Sequence, residues 1–141
     1  MNPFQTSREI PATPAQIFAA IRSPERLAKW WGPEGFTNTF ELCEFKPSGR
    51  WVFTMHGPDG ANYPNENVFA EIQDDSKVVI DHIPFPQFRL TITLTASGEG
   101  TLVSWHQLLA DSEFAAKVAH IIVPANEQNL DRLAAEVLKA I

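Results

Sequence analysis

The chain has 141 residues, of which 44% are hydrophobic and 20% are charged, a composition typical of a globular protein. Seventeen acidic and eleven basic side chains give a net charge of −6 without a basic cluster, which argues against nucleic acid and anionic membrane surfaces as partners. No segment reaches the ~20 apolar residues of a spanning helix and no leader pattern opens the chain, so we expect a single cytoplasmic domain over residues 1–141.

The N-terminal region combines one alternating segment with two helix-start signals. Residues 4–10 alternate in polarity and predict a strand. The segment 13–16, Thr-Pro-Ala-Gln, is a capping box with proline at the first helical position, and it predicts a helix over residues 14–22. Ser-Pro-Glu at residues 23–25 repeats the signal, which predicts a second short helix over residues 24–29.

The middle of the chain, from residue 37 to residue 109, alternates with a period of two between turn-rich links. This pattern predicts six strands, over residues 37–45, 49–56, 66–73, 77–83, 88–96 and 101–109. Short links between consecutive strands predict an antiparallel meander. With the opening strand, the sheet is expected to have about seven strands.

The C-terminal region is expected to cover this sheet. Residues 111–122 are compatible with a helix, and Pro124 stands where a new helix can begin. After it, Leu130, Leu133 and Val137 recur at helical spacing, which predicts a long amphipathic helix. The predicted class is α+β, a curved sheet around one helix. Because a helix ~10 Å across cannot fill the whole concave side, a residual cavity is expected.

The bulky residues of three strands share one parity in each strand, and we assign them to the concave face. They are Trp51, Phe53 and Met55, then Val68, Ala70 and Ile72, then Val78, Ile80 and His82. The predicted ligand-binding residues are Trp31, Trp51, Phe53, Met55, Val68, Ile80, His82, Phe88, Trp105, Leu130, Leu133 and Val137. The excess of aromatic residues among them favours a pocket for a flat or apolar molecule.

Motifs for chemistry are sparse. The lone Cys43 has no second thiol nearby and the histidines lack metal-ligand spacing, so we expect no metal and no cofactor. No serine or cysteine nucleophile motif and no phosphate-binding glycine loop occurs. His82 and His106 are the candidate acid/base residues, and the parity of residues 101–109 that faces inward stays open.

Three segments resemble a known family. Residues 23–33 (SPERLAKWWGP), 49–53 (GRWVF) and 56–60 (HGPDG) resemble the activator of heat-shock protein 90 ATPase homologue family, in the START-like (SRPBCC, helix-grip) superfamily. The resemblance implies a helix-grip fold with a hydrophobic cavity between the sheet and the C-terminal helix. Members of the superfamily bind lipids, sterols, polyketides and other apolar molecules, and a few catalyse cyclisation or dehydration. The Gly-Trp that often precedes the family's last helix is replaced here by Val-Pro-Ala at residues 123–125.

Three functions follow from these observations. We favour a non-catalytic carrier or sensor that binds a small apolar molecule, namely a lipid, sterol, polyketide or aromatic metabolite. The alternative enzyme is a cyclase or dehydratase that uses His82 or His106 as acid or base. The third hypothesis is a co-chaperone-like interaction module that contacts a chaperone or a second copy of the chain.

Overall fold

A computed structural model describes residues 2–141 and contains one seven-stranded antiparallel sheet. In chain order the elements are β1 (Phe4–Ile10), α1 (Pro14–Arg22), α2 (Pro24–Trp30), β2 (Thr37–Cys43), β3 (Gly49–His56), β4 (Asn62–Gln73), β5 (Lys77–His82), β6 (Phe88–Ser97), β7 (Gly100–Leu109) and α3 (Ser112–Lys139). The strand order is β1-β7-β6-β5-β4-β3-β2, so β1 crosses to lie beside β7. The α+β arrangement predicted from the sequence is confirmed. In residues 2–141, no helix is long and apolar enough to cross a membrane.

Both short helices begin at the predicted caps. The Thr13 side chain accepts a hydrogen bond from the Gln16 backbone, and the Gln16 side chain accepts one from the Thr13 backbone. The Ser23 side chain caps α2 by accepting a single hydrogen bond from the Arg26 backbone. These bonds satisfy N–H groups that have no partner within a helix. Ser23 both ends α1 and caps α2, so the two helices follow each other without a loop.

The predicted helix start at Pro124 is wrong, because α3 runs without interruption from Ser112 to Lys139. A proline inside a helix removes one backbone hydrogen bond and costs about 3 kcal/mol. Tertiary packing on both sides of Pro124 offsets this cost. The first half of α3 packs Ala115 on Phe4 and Leu109, and the second half packs Leu130, Leu133 and Val137 on the main core.

The inward positions predicted for Val68 and Ala70 on β4 are also wrong. Asn67 and Phe69 are almost fully buried, and neighbouring residues of a strand point to opposite faces, so Val68 lies on the outer face. A bulge in the pairing of β4 with β5 follows Phe69 and returns Ile72 to the core side. Alternation counted from Ile72 therefore gives the wrong parity before the bulge.

Most of the concave hollow is filled with side chains. The Trp51 ring stacks on Phe69 with centroids 5.5 Å apart and on Phe53 with centroids 4.4 Å apart. Helices α1 and α2 cover this part of the sheet together with α3, and their Phe18 and Trp30 are fully buried. Three helices thus share a covering role that the sequence analysis gave to one, and the remaining space lies at one end of the hollow.

Candidate functional site

A partly enclosed cavity of about 170 Å³ lies between the sheet, α3 and the loop that follows α2. Its apolar walls are mainly aromatic. Trp31 enters from the end of α2, Met55 from β3, Phe88 and Leu90 from β6, and Trp105 from β7. The expected position of a cavity between sheet and C-terminal helix agrees with this geometry.

Five of the twelve predicted ligand-binding residues line this cavity: Trp31, Met55, His82, Phe88 and Trp105. Six others face the hollow but belong to its packed part, where each is at most 1% exposed: Trp51, Phe53, Ile80, Leu130, Leu133 and Val137. The twelfth, Val68, lies on the outer face of β4. The alternation of polarity identifies a face of a sheet, whereas the position of a void depends on how the helices pack.

Apart from His82, the polar side of the cavity was not predicted from the sequence. Its polar lining consists of five carboxamide residues and one histidine: Asn65, Asn67, Gln107, Asn126, Asn129 and His82. A signal was present, because Asn126 and Asn129 are three residues apart on α3, and Asn129 directly precedes the core residue Leu130. On β4, the bulge concealed the inward parity of Asn67.

His82 and Asn67 form a hydrogen bond that fixes the state of the imidazole ring. Nδ1 of His82 lies 2.8 Å from Oδ1 of Asn67, and a carboxamide oxygen only accepts, so Nδ1 carries the proton. Burial lowers the pKa of His82 below its ordinary value. The ring is therefore neutral at pH 7, with Nε2 as an acceptor. It stacks on Phe88 with centroids 4.8 Å apart.

Two residues that line the cavity each carry a buried donor with no hydrogen-bond partner in the protein. The donors are Nδ2 of Asn67 and Nε1 of Trp105, whose residues are 1% and 2% exposed. Native proteins pair more than about 90% of their buried polar groups, because an unpaired one costs about 1–3 kcal/mol. Nε1 of Trp51 is also unpaired, but Trp51 does not line the cavity.

Helix α3 holds the cavity loop in place through two side chains. Asn129 donates to the Trp30 carbonyl oxygen at 2.9 Å and accepts from the Gly32 amide at 3.2 Å. The Arg132 guanidinium donates to five carbonyl oxygens, those of Lys29, Trp31, Gly32, Pro33 and Phe36. Burial lowers the pKa of Arg132.

The loop also depends on Gly32. Its φ of +101° belongs to the region that favours glycine. A Cβ at this position would lie 2.7 Å from the terminal methyl group of Met55, which also lines the cavity. The glycine therefore permits both the turn and the close approach of Met55.

His106 lies outside the cavity. On β7 the buried residues Thr101, Val103 and Trp105 define the inward parity that the sequence left open, and His106 has the opposite parity. It pairs in register with Gln5 of β1 and Thr91 of β6 on the outer face. The prediction of His106 as an acid/base residue in the cavity is therefore wrong.

A shallow groove of about 680 Å³ lies beside the cavity, and His82 and Phe88 line both. Asp81 and Arg89 form a two-bonded ion pair in it, at 2.7 and 2.9 Å. The cavity and this groove are therefore neighbours at the stacked His82 and Phe88 rings.

Other reactive groups are not arranged for chemistry in the part of the chain that the structure describes. In residues 2–141, no cluster of three or more His, Cys, Asp or Glu side chains is positioned to hold a metal. Burial raises the pKa of the Cys43 thiol to about 11. The thiol is therefore protonated at neutral pH and a poor nucleophile.

A curved antiparallel sheet closed by a long C-terminal helix, with two short helices after the first strand, defines a START-like, helix-grip protein. Solved structures with this fold include a Nitrosomonas europaea protein, with a TM-score of 0.88 at 15% identity over 99% of this chain and 96% of that one. An Arthrobacter aurescens protein has a TM-score of 0.89 at 22% identity, over 97% and 86% of the two chains. The AHSA1 protein from Silicibacter pomeroyi has a TM-score of 0.76 at 19% identity, over 99% of each chain.

The family assignment rests on the sequence itself. The family model for "Activator of Hsp90 ATPase homolog 1-like protein" matches residues 11–137, and the chain belongs to this family. No curated protein matches the chain significantly. The fold commonly binds hydrophobic ligands.

Proposed function

We propose that the protein binds one small, flat, largely apolar molecule in the cavity between the sheet and α3, as a non-catalytic carrier or sensor. The observation that carries this proposal is the cavity of about 170 Å³ lined by Trp31, Phe88 and Trp105. Aromatic walls provide a large contact area to a planar ligand at little cost in side-chain entropy.

The volume narrows the range of ligands. An engineered cavity of about 150 Å³ binds benzene, whereas pockets for drug-sized molecules measure about 300–1,000 Å³. A cavity of about 170 Å³ therefore suits a compound with one ring. Of the four ligand types that the sequence favoured, an aromatic metabolite fits this space, and a sterol, a long lipid or a multi-ring polyketide exceeds it.

An enzyme that uses His82 as a base is the second candidate. The supporting observation is the Nδ1–H bond to Asn67. Asn67 thereby orients the ring and leaves Nε2 free to accept a proton. The described residues that line the cavity include no Asp, Glu, Lys, Arg or Cys to complete a proton relay. We therefore favour binding over catalysis.

A co-chaperone-like role stays a prediction. Trp31, a predicted ligand-binding residue, is 7% exposed and lines the cavity, so substituting it does not test a surface contact. The cytoplasmic location also stays a prediction, which cell fractionation tests.

A thermal-shift panel tests the proposal. Toluene, 4-methylphenol and benzamide are compared with lauric acid and cholesterol on the full chain. A ligand at 100 times its dissociation constant stabilises the folded state by about 2.7 kcal/mol, so binding of a single-ring compound is readily measured. If no single-ring compound raises the melting temperature, the proposal is wrong.

A matched pair of substitutions on α3 locates the binding. Ala125 lines the cavity and Ala116 is exposed on the same helix. Ala125→Phe should fill the cavity and abolish the shift, and Ala116→Phe should retain it. If both variants respond to the ligand as the original chain does, binding occurs elsewhere.

A further inference from the structure

We propose that the cavity selects a neutral ligand that carries an acceptor oxygen, and that this oxygen accepts a hydrogen bond from Nδ2 of Asn67, with Nε1 of Trp105 as a second donor. The ligand class is a single-ring aromatic carbonyl compound, such as an amide, aldehyde or ketone. This inference rests on the proposed function, because it names the chemistry of the ligand in the same cavity.

Asn67 is fixed in the orientation that this recognition needs. It is 1% exposed on β4, in register with Trp51 of β3 and His82 of β5. Its Oδ1 is occupied by the Nδ1–H of His82 at 2.8 Å, so the donor end of the carboxamide is the free end. A ligand oxygen in the cavity supplies the acceptor that the protein does not.

Trp105 offers a second donor from β7, on the same face of the sheet as Asn67. Its ring lines the cavity and its Nε1 has no partner in the protein. Trp30 shows the usual arrangement, because its buried Nε1 donates to the Ala20 carbonyl oxygen at 3.0 Å. Of the three unpaired buried side-chain donors in the described residues, two belong to residues that line this one small cavity.

The ligand is neutral because the cavity contains no counter-charge. Among the described residues, the lining includes no Lys, Arg, Asp or Glu, and the neutral His82 ring supplies no cation. The nearby Arg132 is engaged with five backbone carbonyl oxygens of the loop. A buried carboxylate would remain unpaired, which is far more costly than a buried carbonyl group.

NMR titration of the ¹⁵N-labelled full chain tests the inference with three probes of similar size. Toluene lacks an acceptor, benzamide has a neutral one, and benzoate has a charged one. We expect benzamide to bind about tenfold more tightly than toluene, because only benzamide pairs the buried donors. Benzoate should bind more weakly than benzamide.

The substitution Asn67→Leu should keep toluene binding and reduce the preference for benzamide to less than about threefold. If this variant does not fold, Trp105→Phe removes the second donor and should also lower the preference. Trp51→Phe is its matched control, because the Trp51 Nε1 is equally unpaired but lies outside the cavity, and the preference should be retained.

The outcomes separate the two proposals. If toluene and benzamide bind equally well, a water molecule serves the donors as well as a ligand oxygen does; the inference is then overturned and the proposed function stands. If Asn67→Leu or Trp105→Phe retains the full preference, that donor is not the recognition group. If none of the three probes binds, the proposed function itself fails.

Discussion

Nη1 of Arg132 donates a hydrogen bond to the Gly32 carbonyl oxygen at 2.8 Å, and this bond ties α3 to the loop that closes the cavity. The same guanidinium also serves four other carbonyl oxygens of this region. The Arg132 side chain thus gives a hydrogen-bond donor to five carbonyl oxygens at the end of α2 and in the loop after it. These bonds hold Trp31 against the cavity.

We expect Arg132→Met to lower the free energy of unfolding by about 3 kcal/mol, since the carbonyl groups that it serves would lose their donor. Urea denaturation measures this change, and hydrogen exchange at residues 31–36 should accelerate. Arg89→Met is the control, because Arg89 is 57% exposed in its pair with Asp81 and such pairs contribute about 1 kcal/mol or less. Equal losses in the two variants would contradict the role of Arg132.

The bulge in β4 is tested by neighbouring substitutions. Phe69 is fully buried under Trp51, so Phe69→Ala should cost about 3–5 kcal/mol. Val68→Ala, on the outer face, should cost about 1 kcal/mol. Urea denaturation measures the free energy of unfolding of both variants. A larger loss for Val68→Ala than for Phe69→Ala would support the parity predicted from the sequence instead.

The order and limits of the elements could be read from the sequence because local chemistry sets them. Thr13 and Ser23 begin helices, and the turn residues between strands separate them at nearly the observed positions. Pro124 and Val68 were misplaced for the opposite reason. Packing of two apolar clusters carries α3 through a proline, and one extra residue in β4 reverses its faces.

The site was predicted less completely than the fold. Inward-facing strand residues such as Met55 and His82 follow from parity, and they do line the cavity. Whether Phe53 or Met55 borders a void depends on how α1 and α2 pack above β3, and no local pattern encodes this. The polar lining was missed because Asn67 precedes the bulge and because the helical pattern was counted from Leu130, one residue after Asn129.

His82 gives the stability of the protein a dependence on pH. Burial lowers its pKa below the ordinary value of 6.5, so the unfolded chain takes up a proton first as the pH falls. The free energy of unfolding should therefore decrease on acidification below about pH 6.5. Asp81 and Arg89 are the charged groups that line the groove beside the ring.

The test compares urea denaturation at pH 7.5 and pH 5.5. His82→Gln should reduce the loss of stability at the lower pH, because glutamine keeps an amide donor for Asn67 and does not titrate. His106→Gln, on the outer face, should keep the full loss. A loss that is the same in all three proteins would mean that His82 does not contribute to it.

Cys43 should be unreactive in the folded chain. Since burial raises its thiol pKa to about 11, few molecules carry a thiolate at pH 8, and alkylation by iodoacetamide should be much slower in buffer than in 8 M urea. The unfolded thiol ionises near pH 9.0, so the unfolded chain releases its proton first as the pH rises. The free energy of unfolding should then decrease from about pH 9 to about pH 11, and less so in Cys43→Ala. In the alkylation test, equal rates in buffer and urea would show that the thiol is accessible.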